Sequence, residues 1–250
     1  MKSFWERRIA RAEELSTVCV AAAELLSLYI RIAIFQRSVF EDLAARRETD
    51  PATLTTYFPP LLDLVDRYGP PAAAGFARQN LGSEAERDRI VLTHWNDPST
   101  GDYRERFFAR VLLQPFAESL AARANVPADT SSGACPFCGA HPVAAVLRGE
   151  GDGGKRFLVC SLCSTEWEFR RILCPGCGEE HKDKLPVYVT KTFDYIRIEA
   201  CDTCQTYLKS IDLTKNGLAI PIVDELASVS LNVWAEEHGY TKIEPNLLGL

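Results

Sequence analysis

Cys135-Pro136-Phe137-Cys138-Gly139 and Cys160-Ser161-Leu162-Cys163, followed by Cys174-Pro175-Gly176-Cys177-Gly178 and Cys201-Asp202-Thr203-Cys204, decide the reading of this 250-residue chain. A Cys-x-x-Cys turn brings two thiolates to one side and points backbone N–H groups at the sulfurs, so two such turns complete a tetrahedral shell around one ion. The pairs are separated by 21 residues in the first copy and 23 in the second, which makes one pair, hairpin, pair, strand unit written twice. Gly139 and Gly178, each just past a second cysteine, suit the left-handed backbone of such a knuckle. Cys135, Cys138, Cys160, Cys163, Cys174, Cys177, Cys201 and Cys204 are the candidate metal ligands. One ion per copy is the simple assignment, and an interleaved cross-brace is the alternative. An all-thiolate quartet suits zinc or a single rubredoxin-type iron, and four protein ligands leave no open position for substrate. Such a site supplies roughly 10–16 kcal/mol of binding free energy to a small domain.

Dithiol redox chemistry is the rival for Cys135–Cys138, but a redox motif belongs between a strand and a helix, and here a polar linker precedes it. The ninth cysteine, Cys19, lies in an apolar run and reads as a small buried hydrophobe. His141 and His181 sit beside the first pair of each unit and read as polar loop residues, while His94 and His238 read as helix-surface residues.

Upstream of the cysteines the text is helical. The pattern predicts helices over Ser16–Arg47, Thr53–Tyr68, Ala72–Asn80, Ser83–Trp95 and Tyr103–Ala124, the last with Phe107, Phe108, Val111, Leu112, Phe116 and Leu120 on one apolar face. Asn125–Ala134 is a breaker-rich linker. Short β-prone runs follow at Val143–Leu147, Arg156–Val159, Trp167–Ile172, Leu185–Thr190 and Tyr195–Ala200. Asp224–His238 returns to helix, with Gly239 as its stop and Leu226, Val229, Val233 and Trp234 facing inward. The expected fold is α+β: an all-α bundle (1–128), two tandem rubredoxin-like or zinc-ribbon modules (129–173 and 174–215) and a C-terminal helical segment (216–250).

A net charge of −6 gives no global reason to bind a polyanion. Between Ser131 and Lys215, eleven Lys and Arg face eleven acids, and each thiolate quartet around a dication adds two negative charges, so nucleic acid is not an expected partner. The apolar stretch Val18–Phe35 contains Glu24 and Arg31 and reads as a core helix, so no stable membrane insertion is expected. The N-terminus lacks a basic and apolar leader pattern, which together with reduced cysteines points to the cytoplasm. No Ser-His-Asp, metal-water or phosphate-loop constellation suggests an enzyme.

The run Arg156–Trp167, then Arg171–Cys174, resembles the signature of the formate dehydrogenase accessory protein FdhE family. So do Cys201-Asp202-Thr203-Cys204 with Tyr207-Leu208-Lys209, and Pro221–Ala227. The resemblance runs from Cys135 to about Tyr240. It implies a helical domain with two rubredoxin-like modules, iron held by the eight cysteines, and a cytoplasmic role in maturing the catalytic subunit of formate dehydrogenase. Thr165, Glu166, Trp167, Asp224 and Glu225 fall at motif positions that could mark a partner-contact surface. The other reading of these residues is structural: Thr165 bonds within its knuckle, Trp167 plugs the groove between ribbon and bundle, and Asp224-Glu225 favour a helix start. A rubredoxin-like electron carrier and a zinc-ribbon nucleic-acid binder are the alternative functions.

Overall fold

The computed structural model describes residues 3–98, 100–126, 132–150 and 153–250. Six helices come first: α1 Phe4–Val18, α2 Ala23–Arg46, α3 Phe58–Tyr68, α4 Pro71–Asn80, α5 Glu84–Asn96 and α6 Tyr103–Ala121. The helix expected from Ser16 begins much earlier. Ser3 accepts a hydrogen bond from the Glu6 N–H while Glu6 reaches back to the Ser3 N–H, a reciprocal cap that starts α1. The chain then breaks at Cys19, passes through a short 3-10 turn at Val20–Ala22, and resumes as α2. Cys19 is therefore a half-buried helix-end residue outside any α-helix. A 3-10 segment, Pro51–Tyr57, occupies the first part of the expected Thr53–Tyr68 helix, and Ser83 and Asp102 cap α5 and α6. Pro127–Ser131, within the expected linker, lie outside the described residues.

Helix α6 differs from its expected one-sided apolar face: every residue from Phe108 to Ser119 is buried, including Arg110, Gln114 and Glu118. Pro115 sits inside this helix and cannot donate to the Val111 carbonyl one turn back. The side-chain amide of Gln36 on α2 takes that role, donating to the Val111 carbonyl at 3.0 Å and to Gln114 Oε1 at 3.1 Å.

The strands are β1 Pro142–Glu150, β2 Gly153–Cys160, β3 Glu166–Glu168, β4 Val187–Val189, β5 Ile196–Cys201, β6 Thr206–Asp212 and β7 Thr241–Lys242. Two antiparallel meanders, β1-β2-β3 and β4-β5-β6, fuse into one sheet of order β3-β2-β1-β6-β5-β4, with β7 pairing β6. The seam is parallel: Ala145, Val146 and Leu147 of β1 face Ser210, Ile211 and Asp212 of β6. The expected runs at Trp167–Ile172 and Leu185–Thr190 contract to three-residue strands. Arg156 on β2 crosses the seam to the Glu199 carboxylate on β5 at 2.8 Å and donates to the Arg170 carbonyl at 3.1 Å.

The expected C-terminal helix is two helices, α7 Pro221–Ala227 and α8 Val229–Glu237, broken at Ser228. Ser228 returns its hydroxyl to the Asp224 carbonyl at 2.9 Å instead of continuing the helix. Leu226 is buried and Val229 and Trp234 partly so, but Val233 points to solvent. Gly239 takes the left-handed stop, φ 84°. One apolar core joins the helical layer to the first meander, with Trp5, Leu26, Phe108 and Phe116 in the same cluster as Leu158, Leu162 and Trp167.

Candidate metal centres

The eight cysteines gather as two separate quartets, Cys135, Cys138, Cys160 and Cys163 in one and Cys174, Cys177, Cys201 and Cys204 in the other, with the sulfurs of each within 4.8 Å of one another. This grouping is the sequential one and excludes the cross-brace. In the first, Cys135–Cys163 and Cys138–Cys163 are separated by 3.5 Å and Cys138–Cys160 by 3.4 Å. In the second, Cys174–Cys204 are 3.7 Å apart and Cys177–Cys201 3.6 Å. A disulfide would need about 2.05 Å. Corners of a tetrahedron with metal–sulfur bonds of about 2.3 Å lie roughly 3.8 Å apart, so both quartets fit a thiophilic ion, iron or zinc.

The knuckles place these sulfurs. Leu162 and Cys163 N–H groups donate to Cys160 Sγ at 3.3 and 3.5 Å, and Gly176 N–H donates to Cys174 Sγ at 3.3 Å. Left-handed backbone follows the second cysteine of each pair: Gly139 at φ 75°, Ser164 at 57°, Gly178 at 77° and Gln205 at 55°. Thr165 Oγ1 lies 3.1 Å from Cys163 Sγ and Thr206 Oγ1 lies 3.0 Å from Cys204 Sγ, a second repeat-related contact to the thiolates. Four thiols so close conflict electrostatically. Burial drives Cys160 well above its ordinary value and hydrogen bonding to Cys135 and Cys138 raises Cys163, while Cys135 is lowered by accepting from its three neighbours. A dication removes the conflict by favouring all four thiolates together.

Sequence reasoning missed what lies beneath the first centre. Arg110, Gln114 and Glu118 recur every four residues on α6 and form a polar ladder against the Cys160–Cys163 turn. Arg110 Nη2 and Gln114 Nε2 donate to the Ser161 carbonyl at 3.3 and 2.8 Å, and Ser164 donates to Glu118 Oε1 at 2.6 Å. Arg8 from α1 completes the cluster, 3.0 Å from Glu118 Oε1 and 3.3 Å from Ser164 Oγ. The only sequence signal was three polar residues spaced i, i+4, i+8, a pattern that ordinarily marks a solvated face.

The expected contact-surface residues divide. Trp167, Asp224 and Glu225 are fully buried, which removes them from any exposed surface of this fold. Trp167 Nε1 donates to the Ser132 carbonyl at 3.2 Å. Asp224 receives both Arg11 Nε and Nη2, at 3.1 and 2.6 Å, and the Tyr195 hydroxyl at 2.8 Å. Glu225 is paired with Lys209 at 2.7 Å and with Lys242, and accepts from Asn246 at 2.9 Å. Glu166 remains exposed and forms an ion pair with Arg148 at 2.8 Å, and Thr165 is half-buried. His94 is buried, against its expected place on a helix surface; its Nδ1 lies 3.0 Å from the Ile90 carbonyl and burial lowers its pKa. His94 and His141 line a cavity of about 190 Å³ beside the first knuckle. His181 and His238 are exposed, and neither joins a quartet. No helix among the described residues is long and apolar enough to cross a membrane.

The family model described as "FdhE, central domain" matches residues 134–171, and "FdhE, C-terminal domain" matches residues 172–248. The Protein FdhE homolog of Aquifex aeolicus is 35% identical over 195 residues, covering 77% of this chain and 69% of that protein. The Protein FdhE homolog of Shewanella oneidensis is 38% identical over 116 residues, 46% of this chain and 38% of that protein. The alignment with this second relative thus spans well under half of that relative's length. The solved structure of the FdhE protein from Pseudomonas aeruginosa shares the fold, with a TM-score of 0.72 at 24% identity over 98% of this chain and 95% of that chain. On the two family-model matches and the Aquifex alignment, this chain belongs to the FdhE family.

Proposed function

We propose that this protein is a non-enzymatic accessory factor for the assembly of formate dehydrogenase, acting in the cytoplasm on its catalytic subunit and carrying two metal ions, iron or zinc. FdhE family membership supports the client, and the two sulfur quartets carry the reading of how the protein works. Cys135, Cys138, Cys160 and Cys163 would hold one ion and Cys174, Cys177, Cys201 and Cys204 the other. Four protein sulfurs fill a tetrahedral ion, so what each ion supplies when bound is a cross-link between two knuckles. The chain's own residues then set the surface offered to a client. Helix α6 and Arg8 fix the first knuckle, and the β1–β6 seam with Arg156–Glu199 fixes the second module against the first.

Affinity purification of the tagged protein from formate-respiring cells tests this reading. The expected result is enrichment of the formate dehydrogenase catalytic subunit, lost when Cys160 and Cys201 are both replaced by serine. Recovery of the protein with no formate dehydrogenase subunit would count against it.

A further inference from the structure

The two centres share a ligand set but not a setting. Three cysteines of the first, Cys135, Cys160 and Cys163, are buried within the main core, and the turn residues Ser161 and Leu162 are buried with them. Its second knuckle is held from below by Arg110 and Gln114 on the Ser161 carbonyl and by Glu118 and Arg8 on Ser164. Opening this centre would expose the charged Arg8–Glu118 pair and part of the core together, so its opening is tied to unfolding of the helical layer.

The second centre has no such floor. None of its four cysteines belongs to an apolar cluster among the described residues. Cys177 is exposed and Cys204 half-buried, and the turn residues Gly176 and Thr203 face water. The Cys201–Cys204 turn is tied by a surface bond from Thr203 to Glu179 at 2.6 Å and by the buried Tyr240 donating to the half-buried Asp202 at 2.6 Å. The Thr203 bond joins side chains that reach solvent and costs little to break, and neither bond ties the turn to helices α1–α6.

We infer that the centres have different duties: the first is a permanent clasp, and the second is an exchange site at which soft-donor ligands, thiolates or imidazoles, enter at Cys177 and take or deliver the ion. This rests on the metal-holding reading above. Cys177 is the leaving ligand. Its bond to the ion would break as the incoming donor's bond forms, the electron pair staying on sulfur, which either remains a thiolate or takes a proton from water and leaves hydroxide to the buffer. No oxidant or reductant is consumed. Cys174 and Cys201, both buried, keep the ion in place during the exchange.

The test is release of zinc from the full-length, zinc-loaded protein to excess pyridylazoresorcinol, followed by absorbance. Two phases of one ion each are expected, separated by on the order of tenfold or more in rate. Cys177→Ser should speed or abolish the fast phase and leave the slow phase unchanged, while Gln114→Ala should speed the slow phase alone. Because a cysteine variant can misfold, the wild-type protein provides a second readout: brief iodoacetamide treatment with peptide mapping should label Cys177 ahead of Cys135, Cys160 and Cys163. Release of both ions at one rate, or simultaneous labelling of Cys160 and Cys177, would overturn the inference while leaving the metal-holding reading intact. Protein that takes up neither zinc nor iron would overturn that reading itself.

Discussion

At the scale of single residues, the first centre depends on amides that bear no resemblance to ligands. Gln114 accepts from Gln36 and donates to the Ser161 carbonyl, and Gln36 also serves the Val111 carbonyl stranded by Pro115. Gln114→Ala leaves the buried Gln36 amide with one acceptor fewer and removes a donor from Ser161. It should lower the stability of the metal-loaded protein by about 1–3 kcal/mol in urea unfolding. Gly139 and Gly178 make a second residue-scale case. Both have left-handed backbone, and an added Cβ would meet nothing within 4 Å, so Gly→Ala at either position isolates the backbone term. The same measurement should show a loss of roughly 1 kcal/mol each. These glycines were legible in the sequence because their type and place after Cys138 and Cys177 leave few other readings. Ser164 and Gln205, which take the same conformation in the second turns, were not, because nothing in a serine or glutamine announces positive φ. His94 was misplaced for a related reason: a polar residue on a short helix reads as exposed until the neighbouring layer is known.

At the scale of elements, the polar face of α6 departs furthest from what its spacing implies. Arg110, Gln114 and Glu118 have the spacing of a solvated stripe, yet the first metal knuckle covers them, and periodicity cannot distinguish water from a turn full of carbonyls. The split between α7 and α8 is hidden similarly, since at the break Lys209 on β6 donates to the Glu225 carbonyl, at 2.5 Å, and to the Ser228 hydroxyl, at 3.2 Å, long-range partners with no local signal. This β6–α7–β7 junction carries a prediction about pH. Burial alone would raise the Glu225 carboxyl, but Lys209 and Lys242 outweigh it and hold the group at about 2, below the ordinary 4.5. A carboxyl depressed on folding contributes stability that is complete above its unfolded pKa and is lost as pH falls toward the folded one. Unfolding free energy should therefore decline between about pH 4.5 and 2 more steeply in the wild-type protein than in Glu225→Gln. Both proteins share the cysteine quartets, so their difference isolates this carboxylate. At neutral pH, Glu225→Gln leaves two buried ammonium groups without their counter-charge and should cost about 3–5 kcal/mol.

At the scale of the whole molecule, the repeat was readable and its assembly was not. Two matched cysteine units announce two meanders, whereas the parallel β1–β6 seam that makes them one sheet is a long-range pairing with no local signature. The shared core has the same origin. Leu158, Leu162 and Trp167 of the first meander pack in one cluster with Trp5, Leu26 and Phe116 of the helices. A fragment beginning at residue 129 would expose that apolar face, and it should be recovered as aggregate or be rapidly proteolysed, while the full chain resists. A soluble, protease-resistant fragment with dispersed NMR signals would show that the modules stand alone. The central claim is that the eight thiolates hold two ions, and native mass spectrometry of freshly purified protein, prepared anaerobically and paired with elemental analysis, tests it most directly. The account predicts a mass exceeding that of the bare chain by two iron or zinc ions and no disulfide between any of the eight cysteines; a bare chain, or one in which these sulfurs are oxidised to one another, would contradict it.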